Sequence, residues 1–199
     1  VDPNAIIAQT RHWLTSFVIG LDLCPFAGEV LVRESVRFRV SDARTPARLL
    51  EDLADEMARL DADPGIETTL LIHPGVLSDF LDFNDFLDEV DGLLEASDRL
   101  GVYQVATFHP DYRFAGAPAD DVAHCTNRSP WPMLHLLREQ SLEGAIRGHP
   151  DPDGIPERNI ALLRELGRAR VAELLASGPE QDVEKLGRST VGATSVANR

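Results

Sequence analysis

The chain predicts an α/β fold in a single domain, with a small, mostly parallel sheet of three to four strands packed by about five helices. Three observations carry this. Glu67-Thr-Thr-Leu-Leu-Ile-His73-Pro74 and Val102-Tyr-Gln-Val-Ala-Thr-Phe-His109-Pro110 are short apolar runs ending in His-Pro. The segment between them, Ser78 to Leu100, carries a helical apolar stripe. A strand, a helix and a strand in succession make a right-handed crossover unit with parallel strands.

The elements follow in order. Asp2 is a helix cap and Pro3 suits a first helical position. Ile6, Ile7, Trp13, Leu14, Phe17 and Val18 predict an amphipathic helix over 3–19, stopped at Gly20. Pro25 removes a backbone donor and disfavours helix at Cys24, so Cys24 is expected on a turn. Val30, Leu31, Val32, Val36, Phe38 and Val40 alternate with arginines and predict a strand or hairpin arm over 29–40. Thr45-Pro46 opens a second helix with a stripe of Leu49, Leu50, Leu53, Met57 and Leu60. Residues 66–73 form the first central strand. Ser78 is the expected cap of the next helix, which Gly101 ends, and the second central strand is 102–108. A polar connection, 110–128, leads to Ser129-Pro130, which reads as the start of a fourth helix. Pro156 opens a last helix through Leu175. The domain therefore spans 1–178, and the polar stretch 179–199 is expected to be a disordered tail.

Bulk composition narrows the function. A formal net charge of −14 over 199 residues, with no basic patch, argues against a nucleic-acid partner. No apolar run approaches a membrane span, so no membrane partner is expected. Two cysteines, Cys24 and Cys125, are too few for a disulfide scaffold, and a cytoplasmic setting is the expectation. Neither a Gly-rich phosphate loop nor a Gly-x-Ser-x-Gly elbow occurs, which argues against a standard dinucleotide enzyme, P-loop NTPase or α/β-hydrolase.

Parallel central strands would deliver His73 and His109 to the same carboxyl edge, where open α/β sheets bind ligands. Imidazoles there can act as acid and base or hold a transition metal, with Cys24 as nucleophile or third ligand. The plain alternatives are satisfied core histidines and an inert buried thiol. His135 and Glu139, four apart on the expected fourth helix, would share a face and supply metal ligands, or form a solvated pair. Asn127, Arg128 and Ser129 at that helix's start would anchor an anion. Arg113 in the long connection and Asp85 after His73 add polar groups. The expected function is an enzyme acting on a small anionic metabolite. The other reading is a non-catalytic module that binds a metal, heme or small ligand through the same residues.

Several runs resemble a known family: Val18-Ile-Gly-Leu-Asp-Leu-Cys-Pro-Phe-Ala27, Glu67 to Pro74, Asp82-Phe-Asn-Asp-Phe-Leu87, Phe108-His-Pro-Asp-Tyr-Arg-Phe-Ala-Gly116 and Thr126 to Glu139. Together they resemble the bacterial and plastid family called domain of unknown function 1415. The resemblance implies membership over nearly the whole folded part. It implies no activity and carries over no catalytic residue.

Overall fold

The computed structural model describes residues 2–176. Four strands, β1 (Val36–Val40), β2 (Thr68–Ile72), β3 (Tyr103–Phe108) and β4 (Met133–Arg138), form one sheet in the order β1-β2-β4-β3. β1 and β2 are parallel, and β4 is antiparallel to both of its neighbours. The sheet is therefore mixed, not mostly parallel. β2 and β3 do run the same way, but β4 lies between them.

That insertion follows from the crossover. Helix α4 (Phe80–Ala96) spans the sheet between β2 and β3 and leaves a gap one strand wide. The chain returns through a short 3₁₀ turn, Val122–Asn127, and fills the gap with β4. The first part of the helix expected from Ser129 is thus a strand, and only its later part, Glu139–Gly148, is helical. The strand's Met-Leu-His-Leu-Leu-Arg run is apolar on both sides because both faces of the sheet are covered.

Helices α3 (Pro46–Ala62) and α4 cover one face, as right-handed crossovers in one direction require. Leu49, Leu53 and Leu60 of α3 and Phe83, Phe86 and Val90 of α4 close on Leu71, Leu134 and Leu136. Thr45 caps α3 through the Arg48 N–H at 3.3 Å. Asp79, not Ser78, caps α4, accepting from the N–H groups of Leu81 and Asp82 at 2.8 and 3.2 Å.

The terminal segments cover the other face. Helix α1 (Pro3–Trp13) runs on into a π-helical turn, Leu14–Ile19. Residues expected to begin a strand instead form α2 (Ala27–Val32), and extended pairing begins only at Val36. Glu34, at φ 56°, ends that helical segment. Helices α5 (Glu139–Gly148) and α6 (Ile155–Ala176) complete the layer, α6 being broken at Gly167, where φ is 75°. Ile6, Trp13 and Phe17 meet Leu70, Ile72, Met133 and Leu163 here. The stretch 179–199, expected as a tail, lies outside the described residues.

Candidate functional site

Ile72 and Phe108 both pair with Met133, so His73 and His109 leave the sheet at equal height on either side of the start of β4. The two imidazoles turn to the α4 face and pack on Phe83, with centroids 5.5 and 5.3 Å from its ring. Both residues are 0% exposed. His73 donates from Nδ1 to the Val76 carbonyl at 3.0 Å. His109 Nδ1 accepts from the Asp111 N–H at 3.0 Å, which places its proton on Nε2, 3.3 Å from the Leu77 carbonyl. Leu77 itself holds a left-handed φ of 55°. The pair therefore pins the connection between β2 and α4. Burial lowers the His73 pKa to about 4 and also depresses that of His109, so both rings are neutral at pH 7. One atom is left over: Nε2 of His73 is sealed and has no hydrogen-bond partner.

Cys24 does not join them. It lies on the expected turn but packs against the core of the opposite face. Burial raises its pKa, and the Phe26 and Ala27 backbone N–H groups only partly offset this. The residues around Ser129 are likewise occupied by structure. Asn127 donates to the Thr107 carbonyl at 3.2 Å and Ser129 to that of Trp131 at 2.7 Å. Arg128 reaches the Tyr112 carbonyl at 3.4 Å, and its own carbonyl accepts from Trp13 Nε1 at 3.0 Å. No helix starts here, so the expected helix-terminus anion site is absent. Arg113 and Asp85 are exposed on the long connection and on α4.

The expected metal set is also dispersed. His135 lies on β4 and Glu139 begins α5, so the two share no helical face. Strand alternation puts His135 on the face opposite His73 and His109. Among the described residues, no group of three or more His, Cys, Asp or Glu side chains could hold a metal ion.

His135 and Cys24 instead line one cavity of about 590 Å³. Thr68, Ala106, Phe108, His135 and Leu137 form its sheet side, and α2 and α5 stand on either side. Neither helix has a single fully buried residue. Val30 of α2 and Leu142 of α5 face the cavity and are only partly covered. The exposed lining is mostly apolar, but Glu29, Arg33, Glu67 and Arg138 also stand at it. His149 sits at one side, edge-on to Phe26 and accepting the Asp151 N–H at its Nδ1. A second hollow of about 450 Å³ lies beside β1, but two of its arginines, Arg37 and Arg59, already pair with Glu56 and Asp63.

Within the larger cavity, the proton positions can be assigned from the bonding. The Thr68 hydroxyl donates to the Leu136 carbonyl at 2.6 Å. Having one proton, it must accept from His135 Nε2, 2.8 Å away. His135 is therefore the Nε2–H tautomer, and burial lowers its pKa to about 4. Among the described residues, no protein group hydrogen-bonds to its Nδ1, and Nδ1 is not among the sealed, unpartnered atoms.

A family model described as "Protein of unknown function (DUF1415)" matches residues 5–173. The chain belongs to this family. Searches of curated proteins and of solved structures find no match. Every residue of the cavity falls inside the matched span of this DUF1415 chain. No described helix is long and apolar enough to cross a membrane.

Sequence reasoning named Cys24 and His135 for other roles and missed Thr68, Ala106, Phe108 and Leu142. The signal that locates them is indirect. Thr68, the first residue of β2, is one of two threonines that open an otherwise apolar run. The walls come from α2, which the apolar pattern read as a strand, and from α5, which it read as the later part of a helix opening at Ser129.

Proposed function

We propose that this protein binds a small, largely apolar molecule between α2, α5 and the sheet. One observation carries the reading: a cavity of about 590 Å³ whose two helical walls bury no residue fully. Ligand sites are typically hollows of roughly 300–1,000 Å³, mostly apolar, with a few fixed polar groups. Here the fixed group is the His135–Thr68 pair.

The local chemistry favours binding over nucleophilic catalysis. A nucleophilic cysteine needs a lowered pKa or a competent base beside it. Burial moves Cys24 the other way and leaves His135 a weak base. At the carboxyl edge, His109 has both nitrogens engaged and His73 is closed off, so an acid–base role there requires the loop to open.

The fluorescent probe N-phenyl-1-naphthylamine tests the reading. Saturable binding at one molecule per chain, abolished by Ala145→Trp in the α5 wall, is the expected result. Circular dichroism confirms that the variant is folded. Absence of saturable binding, or binding unchanged in the folded variant, would overturn it.

A further inference from the structure

The cavity also indicates which end group its ligand carries. His135 presents a bare Nδ1 lone pair, because the Thr68 hydroxyl fixes the ring proton on Nε2. The two arginines of the lining are turned to other partners. Arg138 donates to the carbonyls of Leu60, Asp63 and Ile66, and Arg33 pairs with Glu29 at 3.5 Å. A carboxylate set against Nδ1 of His135 would bring its own lone pairs against the ring's lone pair, with no proton to share between them. An apolar end group would leave the lone pair dry and unpaired, at the cost of its desolvation. An ammonium would lose its hydration in a hollow whose surface is mostly apolar, and of the two Glu67 carboxylate oxygens Oε1 is sealed from contact.

We propose that the ligand is a neutral, largely apolar alcohol whose hydroxyl donates its hydrogen bond to Nδ1 of His135. This rests on the cavity being the ligand site and adds the class of molecule. The burial that keeps His135 neutral at pH 7 agrees with a ring that accepts and does not donate.

Three probes of equal chain size separate the outcomes by calorimetry at pH 7: 1-octanol, its isomer heptyl methyl ether, and octanoate. The first two share every atom type and differ in the donor. Octanol is expected to bind about tenfold more tightly than the ether, the worth of one buried hydrogen bond, and octanoate more weakly than octanol. His135→Leu is expected to erase the difference between the isomers while both still bind. His135→Asn, which keeps an acceptor oxygen near Nδ1, is expected to retain part of it. Thermal melts confirm that each variant is folded. Equal affinity for the two isomers, or tightest binding of octanoate, would overturn the assignment and leave the cavity reading intact. Failure of all three probes to bind would overturn the cavity reading, and this one with it.

Discussion

His135 on β4 and Thr68 on β2 are joined across the sheet by a 2.8 Å hydrogen bond whose direction is fixed by a third group, the Leu136 carbonyl. Thr68→Val removes both the acceptor for Nε2 and the donor to Leu136. Stability is expected to fall by about 1–3 kcal/mol, the range for leaving buried polar groups unpaired. The ring is also freed to take either tautomer, so discrimination between an alcohol and its ether isomer should weaken. Urea unfolding and calorimetry on the same variant check both effects.

Acid should destabilise the fold before its carboxylates are protonated. His73 has a folded pKa of about 4 against an ordinary 6.5, and His135 is shifted in the same direction. Between those values the unfolded chain binds protons that the folded chain refuses. Stability is then fully present above pH 6.5 and is lost as pH falls towards 4. At most roughly 3.5 kcal/mol is at stake for His73. Unfolding free energies from pH 7.5 to 4 should show this slope, and His73→Asn should flatten it.

Cys24 should be a slow thiol. Its pKa is raised by burial, so little thiolate is present near neutrality. Iodoacetamide at pH 7.5 is expected to modify it at least tenfold more slowly than free cysteine, whose thiol pKa is about 8.5, and slower still with the cavity filled by 1-octanol. Mass spectrometry of tryptic peptides follows the rate. Alkylation as fast as that of free cysteine would point back to a reactive thiol.

Much of the α3/α4 face was legible from sequence, and the reason is physical. β2, α3 and α4 each show one clear period, and the equal exit height of His73 and His109 follows from the crossover between them. β4 was not legible. A strand covered on both faces loses its alternation, and Ser129-Pro130 is a good helix start that the structure does not use. α2 failed for the opposite reason: Val30-Leu31-Val32 favours strand locally, yet the segment turns before β1 can pair. The cavity is bounded by α2, β4 and α5, and the first two are the segments that pattern misread. The histidine edge was found because its signal sits in the segments that read well, and its rings proved to brace a loop.

The opposite face carries a separate stability test. Glu56, nearly buried on α3, receives Arg37 at 2.7 and 3.1 Å and the Thr69 hydroxyl at 3.2 Å. Arg37→Met should cost about 2–3 kcal/mol, because it strips the main partner from a buried carboxylate. Arg37 is itself about a third exposed, with 35% of its side chain accessible, which keeps the loss below that of a fully dry pair. The variant should bind 1-octanol normally, since it lies across the sheet from the cavity.

The most direct measurement is a titration of the ¹⁵N-histidine-labelled protein with 1-octanol, observed by NMR. The Nδ1 resonance of His135 should shift as its lone pair accepts the hydroxyl, while those of His73 and His109 stay in place. Shifts at His73 and His109 with His135 unmoved would return the ligand site to the carboxyl edge and contradict the cavity reading.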